Sequence, residues 1–201
     1  MTCTDPIPIL TTYRELIDSN FSMPFYIAMG NHDNRYFGGF QDTETPASSW
    51  DYVFADTGYQ PAPYYQITHH GFNVIILNAT DLAFDHASND LPSFGDTQLE
   101  WLKIELDKGL PSVLFWHHFI DPPVGSDTTD NALLAIISDY KDVVKATFSG
   151  HRHYFAKVQW QGVWFYQTDN MGKNDYMPYH LVQCDPLTGE VTIANAEDIS
   201  Y

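Results

Sequence analysis

Basic side chains are scarce in this chain: nine lysines and arginines stand against 26 aspartates and glutamates, a formal charge of -17 over 201 residues. Binding to nucleic-acid phosphates draws on clustered Lys and Arg that release counterions, so the deficit argues against a nucleic-acid ligand. The acidic groups are dispersed rather than gathered in a run, as on a charged, solvated surface. Cysteine is scarcer still. Cys3 and Cys184 stand far apart with no Cys-x-x-Cys, which excludes zinc ribbons and thiol redox motifs and makes two unpaired thiols the expectation. No run approaches the roughly 18 apolar residues of a membrane-spanning helix. Met1–Glu15 has neither the basic start nor the apolar stretch of a signal peptide, so no membrane partner is expected. Internal repeats and low-complexity tracts are missing too.

What is present is material for a core. Hydrophobic residues make up 44% of the chain and aromatics 15%, enough for a single globular domain over 1–201. Leu10, Tyr13, Leu16 and Ile17 form a short helical stripe. The run FYIAM (25–29) has the length of a buried strand and ends at Gly30. Residues 34–62 form a long loop rich in Gly, Pro and aromatics. YYQIT (64–68) and FNVIILN (72–78) flank a His-His-Gly turn and predict a hairpin. Residues 94–109 predict a helix, with Thr97 and Glu100 as a capping box, Leu99, Leu102 and Leu106 on one face, and Gly109 at its end. SVLFWHH (112–118) is a second buried strand, and Leu133, Ile136, Ile137 and Tyr140 mark a further helix. ATFSG (146–150) is a third strand, and the segments from Phe155 to Asn195 predict a β-meander. Strands alternating with helices, then hairpins, indicate a mixed α/β fold. Ligand sites in such sheets gather outside the carboxyl ends of the strands.

Three histidine clusters each follow an apolar strand: Gly30-Asn31-His32-Asp33, His117-His118 and Gly150-His151-Arg152-His153. One histidine after a strand is ordinarily structural or surface-exposed. Three at equivalent positions point to a transition-metal site, because imidazole nitrogen and amide or carboxylate oxygen suit zinc, iron and manganese. His69-His70, Asp81, Asp169 and His180 carry weaker signals and are expected in turns or structural positions.

The ordered set of GNHD, a strand-borne His-His and GHRH, with the helix at 94–109 before the middle pair, resembles the calcineurin-like metallophosphoesterases, which include purple acid phosphatases and cyclic-nucleotide phosphodiesterases. The resemblance spans roughly residues 10–170. It implies a metallophosphoesterase-like α/β/β/α sandwich with mixed sheets, and hydrolysis of phosphate mono- or diesters by metal-activated water. Asn31, His117 and His151 match ligands of the second metal, and His153 a ligand of the first. His32 matches the histidine that assists at the leaving group, with Asp33 orienting it. His118 is expected as a neighbour, and Arg152 fills the variable position.

The family pattern also has an Asp-x-His and a Gly-Asp-x-x-Asp ahead of GNHD, and no such residues precede Gly30 here. The expectation is therefore an N-terminally truncated fold holding one transition-metal ion (Mn, Fe or Zn) rather than two. Its turnover alone is weak, and a partner chain or upstream segment completes the core. The alternative is a non-catalytic mononuclear metal-binding remnant.

Overall fold

The computed structural model describes residues 7–30, 63–79, 91–122, 128–170 and 179–195. The first helix, α1 (Ile7–Asn20), carries proline at its second position, where no intrahelical donor is needed. Its Ile17 is buried and packs with Ile27 and Met29, with Ile7, Leu10 and Phe25 alongside. The expected stripe is thus half right: Tyr13 and Leu16 are exposed, and the buried face is rotated toward Ile7.

Residues 25–29 join no ladder among the described residues, which corrects the strand expected there. A side chain stands in for the missing neighbour. The Tyr65 hydroxyl accepts from the Ile27 N–H at 2.9 Å and donates to the Ile27 carbonyl at 2.8 Å. One buried phenol thereby satisfies both main-chain groups of a buried residue. Burial raises the Tyr65 phenol well above the ordinary tyrosine value, an effect the Ile27 bond partly offsets.

The main sheet runs β1 (Tyr65–His69), β2 (Phe72–Ile76), β3 (Ser112–Phe115), β4 (Val144–Ser149), β6 (Val163–Gln167) and β5 (Ala156–Trp160) in spatial order. Strands β2, β3, β4 and β6 are parallel, while β1 and β5 are antiparallel edges. Strands β7 (His180–Cys184) and β8 (Val191–Asn195) form a separate two-stranded sheet. The expected meander is therefore two hairpins, because β4 takes the edge of β6 that a continuous meander would leave to β7.

Alternation along the strands sorts the core into two faces. Leu114, Trp116, Val163 and Phe165 face the helices α2 (Asp96–Leu106) and α3 (Thr128–Asp139), against Leu99, Leu102, Leu106, Leu133 and Ile137. Val113, Ala146 and Phe148 face the other way, toward Val182, Val191 and Ile193 of the small sheet. Leu102 is 0% exposed, and truncating such a leucine to alanine costs about 2–5 kcal/mol.

Helix α2 begins at Gly95 as N-cap without a side-chain capping bond. The expected Thr97–Glu100 box does not form, because the helix starts at Asp96 and places both residues inside its first turns. Gly109, at φ 71°, follows the C-terminus as expected. Gln98 is buried, and its amide accepts from the Asn78 N–H at 2.7 Å and donates to the Asn78 carbonyl at 3.0 Å. That clasp holds the chain just beyond β2.

Candidate metal centre

Four parallel strands bring their carboxyl ends to one edge, and each is followed two residues on by a polar side chain: Asn78, His117, His151 and Asp169. Register explains why the middle two meet. Phe115 stands beside Phe148, and Phe148 beside Tyr166, with rings stacked at 4.9 and 5.4 Å. Just past that row the Gly150 N–H donates to the His117 carbonyl at 2.8 Å. The two strand-end loops are thus joined by backbone before their side chains are considered.

His117 Nε2 and His151 Nδ1 lie 3.2 Å apart, half-buried. The chain reaches this geometry through an unfavourable backbone. The Arg152 N–H donates to the Gly150 carbonyl at 3.0 Å, and His151 between them has φ 74°. An i→i+2 bond around a positive φ is the rarer, strained γ-turn. His153 follows at φ 56°, again in the left-handed region.

Gly30 closes the third side. A Cβ placed there would lie 3.0 Å from three atoms of the His117 ring, so hydrogen at this position lets the backbone rest on the imidazole. The segment leading into Asn31 therefore touches the same histidine that His151 touches. Asn31, His32 and Asp33 themselves lie outside the described residues, as do Asp81 and Cys3.

His118 is 1% exposed, with its ring 4.4 Å from that of His151 and 5.1 Å from that of His117. His153 is exposed and makes no ring contact or hydrogen bond with the pair among the described residues. His69, the last residue of β1, and His70, in the β1–β2 turn, are both exposed. His180 packs against Phe148, Phe155 and Tyr166 under the small sheet. Asp169 accepts from the Asn170 N–H at 2.6 Å.

Among the described residues no group of three His, Cys, Asp or Glu side chains is arranged to hold a metal ion. The separation of His117 and His151, a hydrogen-bond distance in this structure, also fits two neighbouring positions of a coordination sphere. Nitrogens bound at about 2.0–2.1 Å to a tetrahedral ion stand about 3.3–3.4 Å apart, close to the 3.2 Å seen here. Sequence reasoning found both imidazoles but not the two features that fix them. Nothing in the sequence marks a γ-turn at His151. Gly30 was legible as a turn glycine but not as the surface against which His117 rests.

No curated protein matches the chain. Among solved structures, a candidate 5'-nucleotidase from Staphylococcus aureus in complex with alpha-ketoglutarate is similar, with a TM-score of 0.55 and 13% identity over 94% of this chain and 39% of that one. At that identity the likeness concerns the fold alone, and the chain spans 39% of the other's length. GAP50, the anchor in the inner membrane complex of Plasmodium, has a TM-score of 0.39 and 14% identity over 54% of this chain and 38% of that one. The profile of the calcineurin-like phosphoesterases matches residues 5–155.

Proposed function

The chain belongs to the calcineurin-like phosphoesterase family, and from that premise we propose that its carboxyl-edge histidines serve metal-dependent hydrolysis of phosphate mono- or diesters. The observation that carries this reading is the 3.2 Å approach of His117 Nε2 to His151 Nδ1. Bound beside them, an ion of manganese, iron or zinc supplies Lewis acidity and positive charge for the phosphoryl oxygens. His117 and His151 supply two ligands, and Asn31, next to the Gly30 that rests on His117, supplies a third. His32 delivers a proton to the leaving oxygen, and Asp33 holds its ring for that transfer. His153 is the remaining ligand candidate, and its exposure favours one bound ion over two.

Turnover by this chain alone is low, because no bridging carboxylates join His117 and His151 among the described residues. An upstream segment or partner chain carrying them raises it. The purified chain with added Mn²⁺ is expected to cleave a chromogenic phosphodiester slowly, with the residual rate lost in His32→Ala. Fast hydrolysis that His32→Ala abolishes would contradict the low-turnover part. A slow rate indifferent to both Mn²⁺ and His32→Ala would contradict the assignment of the site. A mononuclear metal binder without turnover is the second reading, and the lack of a third ligand among the described residues favours it. Metal uptake without any hydrolysis selects it.

A further inference from the structure

Arg152 differs from the other arginines. The chain has three, Arg14, Arg35 and Arg152. Arg14 faces Asp18 one turn along α1, at 3.5 Å. Arg35 lies outside the described residues. The Arg152 side chain is exposed and makes no ion pair among the described residues, yet it is held in place. Its guanidinium carbon sits 5.1 Å from the centroid of the Phe119 ring, and Phe119 is itself only 9% exposed. Phe119 comes directly after His117-His118 and Arg152 directly after His151. The stack therefore spans the two loops that bring the imidazoles together. A cation over an aromatic ring engages no hydrogen-bond acceptor, so the contact positions the guanidinium without an acceptor for its N–H donors.

We propose that Arg152 recognises a second anionic group of the substrate, a phosphate or carboxylate adjoining the phosphoryl group that reacts. This rests on the phosphoesterase reading of the site. Exposure places the guanidinium at the rim, where it meets a substituent rather than the reacting centre. A chain carrying a charge of -17 repels a doubly anionic ligand unless a fixed cation receives it. A planar fork held on an aromatic platform binds phosphate or carboxylate through paired hydrogen bonds with little ordering left to do.

The test is calorimetric titration of the full chain, with Mn²⁺ present, by inorganic pyrophosphate, phosphonoacetate and inorganic phosphate. Wild type is compared with Arg152→Gln and Arg152→Lys. Arg152→Gln is expected to weaken pyrophosphate binding about tenfold while leaving inorganic phosphate unchanged. Arg152→Lys falls between, because lysine keeps the charge but not the fork. An equal loss for phosphonoacetate assigns the subsite to carboxylates as well; a loss confined to pyrophosphate assigns it to phosphate. Either outcome supports the proposal. It is overturned if Arg152→Gln weakens all three anions alike, weakens none, or lowers Mn²⁺ affinity, which would make Arg152 a support for His151. If wild type takes up no Mn²⁺, the hydrolase reading fails separately, and the metal-free contrast between pyrophosphate and phosphate still decides the role of Arg152.

Discussion

Among the described residues, non-glycine residues with positive φ occur at both ends of the main sheet: His70 and Gln161 at the amino end, His151 and His153 at the carboxyl end. At the amino end each sits before a glycine in a two-residue hairpin turn, at φ 47° and 53°. Those values lie near the left-handed minimum, and the flanking ladders repay the conformation directly. At the carboxyl end His151 has φ 74°, is the centre of a γ-turn, and has no glycine after it. No ladder needs that turn. It brings an imidazole within 3.2 Å of His117, and backbone strain of this kind is the sort that clusters at functional sites. The same departure from ordinary backbone is thus a connection at one end and a device at the other.

The largest expected effect tests how Gly30 is held at this device. Tyr65→Phe leaves the buried main-chain groups of Ile27 without their partner and is expected to destabilise the chain by about 2–4 kcal/mol, measured by urea denaturation. Tyr65 also sets a pH dependence. Its folded pKa lies above the unfolded value of about 10, so its contribution is complete below that pH and falls above it, by up to about 1.4 kcal/mol per pH unit. Tyr65→Phe should abolish that slope.

Next comes Gly30→Ala, whose methyl group must displace the His117 ring. Metal affinity should fall about 10–100-fold, as for other changes that shift a ligand's support, measured by Mn²⁺ titration. Unchanged affinity would show that His117 does not depend on Gly30.

A smaller effect separates the two ends of the sheet directly. His151→Gly relieves the γ-turn and should raise metal-free stability by about 1 kcal/mol while removing metal uptake. Gln161→Gly and His70→Gly should leave uptake intact and stabilise the chain less than His151→Gly, because φ 47° and 53° in hairpin turns are less strained than a γ-turn. Equal stabilisation at all three positions would erase the distinction. Smallest is Thr97→Ala, expected within about 0.5 kcal/mol, because Thr97 makes no capping bond.

Much of the fold was legible because its strands are apolar runs bounded by turn residues and its helices carry leucine stripes. The errors have physical causes. A five-residue apolar run such as 25–29 cannot reveal whether its neighbour is a strand or the hydroxyl of Tyr65. The Thr97–Glu100 spacing fits a capping box, but the helix begins earlier, at Asp96. Gln98, polar on the leucine face of α2, was a readable sign of a buried amide needing partners. At the site, histidines after strands were legible. The contact of Arg152 with Phe119 was not, since it joins residues far apart in sequence through a turn that only tertiary contacts sustain.

The proposed role of the carboxyl edge is to gather His117 and His151 for one metal ion. Calorimetric titration of the full chain with Mn²⁺, alongside His117→Ala and His151→Ala, tests it most directly. One ion bound per chain, and none in either variant, is the predicted result. Uptake that survives both substitutions, or no uptake by the unaltered chain, would contradict it.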